Sequence, residues 1–564
     1  MCGFTCVVTR KIPLNNDKGF IPKDTLEHRG PDATKEILHN NVRIRHWRLS
    51  IVDLTSHSDQ PIENDNEIFV YNGELYDYKS IGLKYNIADE GDTRVVLDLI
   101  DSKGGLVELQ ESAGFYAFLR YLKNENIIHG SRDRVGKKSL FYYVDNDVAV
   151  FSSEERGILP FIPKMEVNSK VIGEYFLYKS RFYGQTFFKG VYEIPPGASF
   201  EFDINDWNLN ISHDWNWYYK NDLANWYKKT NVKSFPVLFK EAVKRRIKCD
   251  VPVQIALSGG VDSTAMAAIA ITNSSNISKG ITIGFEQGLD ESKRAKETAS
   301  LLKLPHDVVT YKKNMFYDLL RDSVLYMSAP LDHPHALTYN LMCQNVKKNG
   351  KVLLTGEGAD ELFYGYGHYK CKENKSFAFR EYLNNSDEHC FISSNGNSPF
   401  DNIRSNAKIE EFRKLSLSSS YASRDMELKT HLLSLLQRND KMGMRSSIEI
   451  RSPFLDQSII SMSLSLKNSK CSGNKSEIED IAFDLINDLP KFPIKNGFRV
   501  PFDEHYEFLI KDPKVKKLFN LGVSELKKNL GIELKIDTDI SPRLGWSIIN
   551  IGCFISIFKE VGNE

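Results

Sequence analysis

Closely spaced cysteines are missing from this chain. Its 564 residues include only 8 cysteines, scattered along the sequence without a C-x-x-C pair. This spacing disfavours both a zinc site and a disulfide scaffold, and it is typical of a protein from a reducing compartment. We therefore expect a cytoplasmic protein.

An excess of charge of one sign and a long apolar run are missing as well. Lysine plus arginine and aspartate plus glutamate number 74 each, so no net field favours nucleic acid or an anionic membrane. The N-terminus has no apolar signal-peptide core, and the apolar stretch 546–558 is interrupted and too short to span a bilayer. We expect that stretch to be a buried helix. These absences predict small-molecule partners, with no nucleic acid and no membrane.

Two kinds of pattern divide the chain, whose length already predicts more than one domain. Through about residue 200, short apolar runs alternate with Gly, Asn and Asp turns, which predicts a β-rich layered domain that closes with a strand at 193–202. Farther on, helix and buried-strand patterns alternate, which predicts an α/β domain with a parallel sheet. The predicted parts are a first domain at 2–205, a linker at 206–233 and a second domain at 234–564.

The first residue that carries chemistry is Cys2. Removal of Met1 makes Cys2 the N-terminus, so that one residue holds a thiol nucleophile and a free α-amine. An α-amine has a reference pKa of about 8, so a good fraction of it is neutral near pH 7 and can accept the thiol proton. Taken alone, an N-terminal cysteine is equally consistent with a chance residue at a chain end.

Four strings that follow Cys2 decide between these interpretations. They are HRGPD at 28–32, WRLSIVDL at 47–54, YNGELYDY at 71–78 and SRDRVGKKSLFY at 131–142. In order and spacing they resemble the glutaminase domain of class II glutamine amidotransferases, an Ntn-hydrolase αββα sandwich. The resemblance implies that Cys2 attacks the side-chain amide of glutamine and that ammonia is released.

The same resemblance implies two sets of supporting residues. The side chain of Asn72 and the N–H of Gly73 would form an oxyanion hole, in which a donor contributes about 3 to 4 kcal/mol in the transition state. Arg48 would bind the α-carboxylate of glutamine, which suits its fork-shaped guanidinium. Glu74 and Asp92 would bind the α-ammonium.

A second motif lies between a strand pattern and a helix pattern. The string ALSGGVDSTA at 256–265 places glycines and hydroxyls where a strand enters a helix, a position that binds anions through backbone N–H groups. It lacks the GK[ST] of a Walker A loop and resembles the pyrophosphate loop of N-type ATP pyrophosphatases, which transfer AMP to a carboxylate. The ATP contacts that the resemblance implies are Leu257, Ser258, Gly259, Gly260, Asp262, Ser263, Ile283, Gly284, Thr355 and Gly356.

A third motif, VLLTGEGADELFYGY at 352–366, again leads from a buried strand into a Gly-rich acidic loop. Asp262 and Asp360 match the family's Mg²⁺ carboxylates, and oxygen ligands shared with phosphates suit Mg²⁺. Glu357 matches a residue that handles protons as ammonia attacks an acyl adenylate. Lys475 is aligned with a lysine that neutralises phosphate charge, but it also fits an ordinary surface lysine on a helix.

Nearly the whole chain resembles glutamine-hydrolysing asparagine synthetases of the bacterial B type. The resemblance implies a glutaminase that feeds ammonia through an internal tunnel to a PP-loop α/β domain, where a carboxylate activated as acyl-AMP is amidated. The expected substrates are glutamine, ATP and that carboxylate, with Mg²⁺ as cofactor and a homodimer as the candidate assembly.

The acceptor carboxylate stays open at this stage. The segment APLDHPHALTYN at 329–340 lacks the arginine that helps aspartate-specific members bind aspartate, and His333 and His335 are either substitutes for it or ordinary loop residues. Aspartate, with asparagine as product, is our prediction. The alternatives are another carboxylate, such as a uronic-acid sugar or a natural-product acid, and a degenerate glutamine- or ATP-binding regulator. The regulator is disfavoured because a full set of functional residues is retained: Cys2, Asn72, Asp262, Glu357 and Asp360.

Overall fold

The computed structural model describes most of the chain. The described residues are 2–10, 20–88, 91–179, 181, 184–212, 234–286, 291–363, 387, 390–392, 400–401, 428, 431–465, 475–492, 500–535 and 540–561.

The strands of the N-terminal part form two antiparallel sheets. They are β1 (Cys2–Thr9), β2 (Ala33–His39), β3 (Val42–Arg48), β4 (Ile62–Glu63), β5 (Glu67–Leu75), β6 (Gly114–Leu122), β7 (Ile127–Arg132), β8 (Phe141–Val144), β9 (Val148–Ser152), β10 (Tyr192–Glu193), β11 (Ser199–Asp203) and β12 (Asn208–Ser212). The first sheet has the strand order β10-β8-β9-β1-β3-β2, and the second has the order β12-β11-β7-β6-β5-β4.

The two sheets pack face to face. Side chains along each strand point alternately to the two faces of its sheet, so each sheet has an inner and an outer face. Phe4 of β1 and Ile68 of β5 belong to the core between the sheets, whereas Phe69 belongs to the core under the helices beside the second sheet. These helices are α1 (Tyr78–Tyr85), α2 (Asp92–Asp101) and α3 (Gly105–Glu111), and α4 (Ser169–Tyr178) covers the first sheet. The predicted αββα sandwich is confirmed.

The C-terminal part is built on a parallel sheet, as predicted. Its strand order is β15-β14-β13-β16-β18, and all four pairings are parallel. The strands of this part are β13 (Val253–Ala256), β14 (Ile277–Phe285), β15 (His306–Tyr311), β16 (Val352–Leu354), β17 (Phe391–Ile392), β18 (Glu449–Arg451) and β19 (Glu533–Leu534).

Helices cover both faces of the parallel sheet. They are α5 (Phe235–Arg246), α6 (Val261–Asn273), α7 (Ser292–Leu301), α8 (Phe316–Met327), α9 (His335–Val346), α10 (Ala359–Phe363), α11 (His431–Arg445), α12 (Gln457–Ser465), α13 (Ser476–Leu485), α14 (Phe502–Leu509), α15 (Pro513–Leu530) and α16 (Pro542–Val561). The predicted helix at 546–558 lies inside α16. No helix among the described residues is long and apolar enough to cross a membrane.

Strand β12 lies inside the range predicted as linker, 206–233. Strand β12 pairs with β11, so the second sheet continues to Ser212 and the strand near 200 does not close it. In β12, Leu209 and Ile211 are partly buried against the sandwich core, whereas the residues that alternate with them, Asn208, Asn210 and Ser212, are polar. This alternation is the pattern of a half-buried edge strand. Residues 213–233 lie outside the described residues, and the other domain limits stay a prediction.

Candidate functional site

The first cluster lies at one end of the sandwich, on the inner faces of three strands. Cys2 shares the inner face of β1 with Phe4, and Arg48 is its direct cross-strand partner in β3. Asn72 shares the inner face of β5 with Ile68. The backbone nitrogen of Cys2 donates a hydrogen bond to Asn72 Oδ1 at 3.1 Å. The sequence folds so that the predicted nucleophile and the predicted oxyanion donor are neighbours.

The side-chain amide of Asn72 has an unused hydrogen-bond donor. The residue is fully buried, and its Nδ2 has no hydrogen-bond partner in the described part of the chain. A buried amide donor without a partner costs free energy, and such groups are often kept for a ligand. The neighbouring Gly73 cannot be replaced without a shift, because a Cβ there would lie 2.6 Å from the carbonyl oxygen of Phe115.

Charged side chains, among them Arg48 and Glu74, lie around Cys2 and Asn72. The Arg48 guanidinium donates through Nη1 to Asp59 Oδ1 at 2.7 Å and to the backbone carbonyl of Thr55. Glu74 lies 3.2 Å from Nη2 of Arg451, which belongs to the C-terminal part. Burial raises the pKa of Glu74 to about 8, although Arg451 lowers it.

Asp92 begins α2 on the far side of the cluster. Its Oδ2 accepts a hydrogen bond from the N–H of Leu75, the residue after Glu74, at 3.3 Å. Burial raises the pKa of Asp92 to about 6, and the hydrogen bond from Leu75 lowers it. A cation that entered between Asp92 and Glu74 would favour the charged form of both carboxyls.

The second cluster lies at the carboxyl edge of the parallel sheet, where β13 and β16 are neighbours. The loops that follow these two strands touch, because a Cβ on Gly356 would lie 3.5 Å from Asp262 Cβ. In the first loop, Gly260 precedes the free N-terminus of α6 and Gly259 has a φ of +72°. Backbone N–H groups at such a loop and helix start favour an anion.

The hydroxyls of the first loop are used within it. Ser258 and Ser263 hydrogen-bond to each other through their hydroxyls at 3.0 Å, so they hold the loop in shape. Leu257, Ile283 and Thr355 are buried at the same sheet edge. Gly284 belongs to β14, the strand beside β13. All ten predicted ATP contacts therefore lie in β14, in the loops that follow β13 and β16, or in the first turn of α6.

Lys475 joins the two loops. Its Nζ lies 2.5 Å from Asp262 Oδ2 and 2.7 Å from Asp360 Oδ1. Burial lowers the pKa of Lys475, but the two carboxylates outweigh burial and raise it. Its side chain is only 8% exposed, so the alternative of an ordinary surface lysine is wrong. The two carboxylates, one from each loop, converge on a single cation.

Glu357 of the second loop has partners that the motifs did not reveal. Arg438 Nη2 lies 3.0 Å from Glu357 Oε2, and Asn439 Nδ2 donates to the same oxygen at 3.2 Å. The Arg438 guanidinium also covers the ring of Tyr339, 4.6 Å from its centroid. Arg438 opens the string RNDKMGMR of α11, which was visible in the sequence but gave no sign of which loop it faces.

The predicted specificity segment lies beside this arginine. His333 and His335 have ring centroids 6.2 Å apart, and His431 at the start of α11 lies 6.3 Å from His333. Burial lowers the pKa of His333, and electrostatic interactions with His335, His431, Lys179 and Arg438 lower it further. The segment 329–340 therefore packs against α11, close to the pair of Arg438 and Glu357.

Comparisons with known proteins match the two parts of the chain to two family models. The family model described as glutamine amidotransferase domain matches residues 1–215, and the model described as asparagine synthase matches residues 235–477. A solved glutamine phosphoribosylpyrophosphate amidotransferase from B. subtilis is 14% identical over 54% of this chain and 65% of that chain, with a TM-score of 0.28.

Curated relatives extend over both parts. The putative asparagine synthetase [glutamine-hydrolyzing] 2 of Methanocaldococcus jannaschii is 30% identical over 65% of this chain and 76% of its own length. Asparagine synthetase [glutamine-hydrolyzing] 3 of Bacillus subtilis is 29% identical over 82% of this chain and 80% of its own length. Amidase chyE of Penicillium rubens is 30% identical over 62% of this chain and 54% of its own length. The chain belongs to the glutamine-hydrolysing asparagine synthetase family, whose members are ligases that use ATP.

Proposed function

We propose that the first cluster hydrolyses glutamine, with Cys2 as the nucleophile and its own α-amine, freed by removal of Met1, as the base. Asn72 Nδ2 and the N–H of Gly73 stabilise the oxyanion. The buried, unpartnered Nδ2 supports this role, because a donor that is already in place costs no reorganisation when charge develops.

The substrate's charged ends bind around that centre. Arg48 takes the α-carboxylate in exchange for part of its contact with Asp59, and Glu74 and Asp92 take the α-ammonium. The cross-strand pairing of Arg48 with Cys2 supports the first assignment, since it places the cation beside the nucleophile. The raised pKa values of Glu74 and Asp92 support the second, because an ammonium offsets the cost of their buried charge.

Replacing Asn72 by Ala tests the oxyanion hole. We expect kcat for glutamine hydrolysis to fall by about 10²- to 10³-fold, the usual effect of losing one such donor, while ammonia-dependent synthesis is retained. The matched control is Asn66→Ala, an exposed asparagine in the turn before the same strand, which should hydrolyse glutamine normally. A normal kcat in Asn72→Ala would remove Asn72 from the mechanism.

We assign the second cluster to ATP, and its donor set fits Mg²⁺. Asp262 and Asp360 offer hard oxygens that already share one cation, Lys475, and no group of three or more metal-ligating side chains occurs among the described residues. A Mg²⁺ ion held here needs oxygens from substrate phosphates to complete its shell. Bound, it would neutralise phosphate charge.

The chain's own groups position ATP. The N–H groups around Gly259 and Gly260 bind the pyrophosphate, and Lys475 adds a positive charge near the phosphates. Leu257 and Ile283 lie along the adenosine. The convergence of both loops on Lys475 is the observation that carries this proposal, because a motif match alone brings no such geometry.

We propose that the acceptor binds beside Glu357 and Arg438 and that it is aspartate. A buried carboxylate that is not adenylated needs a cation, since an unpaired buried ion costs several kcal/mol. Arg438, 3.0 Å from Glu357, takes the place of the arginine that the segment 329–340 lacks. Glu357 then accepts a proton as ammonia attacks the acyl adenylate.

A screen of pyrophosphate release with ATP, Mg²⁺, ammonium and single carboxylates tests the acceptor. We expect aspartate to stimulate release, with AMP and pyrophosphate in equal amounts, and Arg438→Met to raise the KM for aspartate by at least about tenfold. The matched control is Arg445→Met, on the same helix but paired with Asp322. Release of ADP would contradict adenylation.

The alternative outcome of this screen is that the acceptor is a carboxylate other than aspartate, and one relative is named as an amidase rather than an asparagine synthetase. Amidase chyE is as similar to this chain as the M. jannaschii relative is. If aspartate is inert and another carboxylate releases pyrophosphate, the chemistry stands and the acceptor assignment is wrong. The cytoplasmic location and the homodimer stay predictions.

A further inference from the structure

A buried lysine without a role in either cluster lies between the two parts of the chain. Lys137, in the connection from β7 to β8, is 2% exposed. Its Nζ donates to Ser452 Oγ at 2.9 Å, and in the described part of the chain no carboxylate lies within ion-pair distance of it. Buried lysines are normally paired with a carboxylate, so this one calls for an explanation.

One side of Lys137 faces the glutaminase cluster. Its Nζ lies 5.3 Å from the ring centroid of Phe115, a buried residue of β6. Phe115 is the direct cross-strand partner of Glu74, and Gly73 is the residue before Glu74. The lysine is therefore separated from the strand that carries the oxyanion donors by a single aromatic ring.

The other side of Lys137 leads to the synthetase cluster. Ser452 follows β18, and its Oγ lies 3.3 Å from Thr355 Oγ1. Thr355 is fixed by a hydrogen bond of 2.9 Å from its N–H to the Arg451 carbonyl, and it stands two residues before Glu357. Lys137, Ser452 and Thr355 are all at least 96% buried, so the line they form is closed to solvent.

We propose that Lys137, Ser452 and Thr355 form the polar link through which ammonia passes from the Cys2 site to Glu357, with Lys137 as a positioning residue. The inference rests on the proposed function. Ammonia both donates and accepts hydrogen bonds, so it can replace either partner of the bond between Lys137 and Ser452. Such partners offset the cost of moving a polar molecule through a buried region.

The state of Lys137 agrees with this role. Burial lowers its pKa to about 7, so a large fraction of the amine is neutral at neutral pH and does not repel ammonium formed beside it. The charged groups around it act in both directions: Lys138 and Arg246 lower its pKa, and Glu357 and Asp440 raise it.

The test is Lys137→Met in the full chain, with glutamate and amide product measured together. The acceptor is aspartate, or whichever carboxylate releases pyrophosphate in the screen above. We expect glutamine hydrolysis and ammonium-dependent synthesis to be retained, while product formed per glutamate falls at least about fivefold, the lower end of usual coupling between sites. The matched control is Lys351→Met, which removes a surface lysine paired across the same interface with Asp32 and should keep the wild-type ratio.

A second variant decides the matter if Lys137→Met does not fold. Ser452→Ala keeps the lysine but removes its partner and should also lower the product-to-glutamate ratio. A wild-type ratio in either folded variant, or an equal loss of ammonium-dependent synthesis, would overturn the inference. A wild-type protein that hydrolyses no glutamine would instead overturn the proposed function.

Discussion

Cys2→Ala should abolish glutamine-dependent synthesis and leave ammonium-dependent synthesis intact. The glutaminase reaction requires a thiolate, and removing the nucleophile of a covalent mechanism typically costs several orders of magnitude in kcat, about 10⁶-fold in well-studied cases. The synthetase cluster has no need of the thiol, because its residues lie at the other sheet: Glu357 in the loop after β16, and Asp262 and Asp360 in the first turns of α6 and α10. The measurement is glutamate and amide product, with glutamine and with ammonium chloride as nitrogen sources.

Cys6→Ala is the matched control for this substitution. Cys6 lies on the same face of the same strand, but it is fully buried in the core between the sheets and burial raises its pKa. Its loss creates a small cavity and should lower stability by about 1 kcal/mol without removing either activity. Glutamine turnover that persisted in Cys2→Ala would show that another group attacks the amide.

Local patterns predicted part of the geometry around Cys2, Arg48 and Asn72. The motifs around Cys2, Arg48 and Asn72 lie in strands, and the period of two fixes which face each side chain takes. What joins them is the register between β1 and β3, which pairs Cys2 with Arg48. That register follows from burying Phe4 and its neighbours, so the geometry was largely contained in the hydrophobic pattern.

Contacts between residues far apart in the sequence could not be predicted in this way. Arg451 pairs with Glu74, and Arg438 pairs with Glu357, across separations in sequence that no periodicity spans. Both pairs depend on how helices and sheets dock, which is a property of tertiary packing. Lys137 was visible only as one residue of a family motif, and its hydrogen bond to Ser452 also appears only once the two parts are assembled.

The edge strand β12 lies inside the range that the sequence predicts as linker, although Leu209 and Ile211 alternate with polar residues there. An edge strand exposes one face and buries few side chains, so its pattern is short and weak. Two apolar residues are too few for periodicity alone to predict such a strand.

Asp262→Asn and Asp360→Asn should each eliminate pyrophosphate release while basal glutamine hydrolysis survives. An amide keeps the size of the carboxylate but removes its charge, so both the proposed Mg²⁺ site and the pairing with Lys475 lose one of two anions. We expect release to fall by at least about 10²-fold, as for the loss of one electrostatic group in a preorganised site. The matched control is Asp307→Asn, a mostly exposed carboxylate of the same domain that pairs only with Lys279 among the described residues. Measuring pyrophosphate release against Mg²⁺ concentration separates the two roles of these carboxylates. A higher Mg²⁺ requirement with partial recovery of release identifies a metal ligand. Normal release at saturating Mg²⁺ would show that neither carboxylate holds the metal and that their contact with Lys475 is structural.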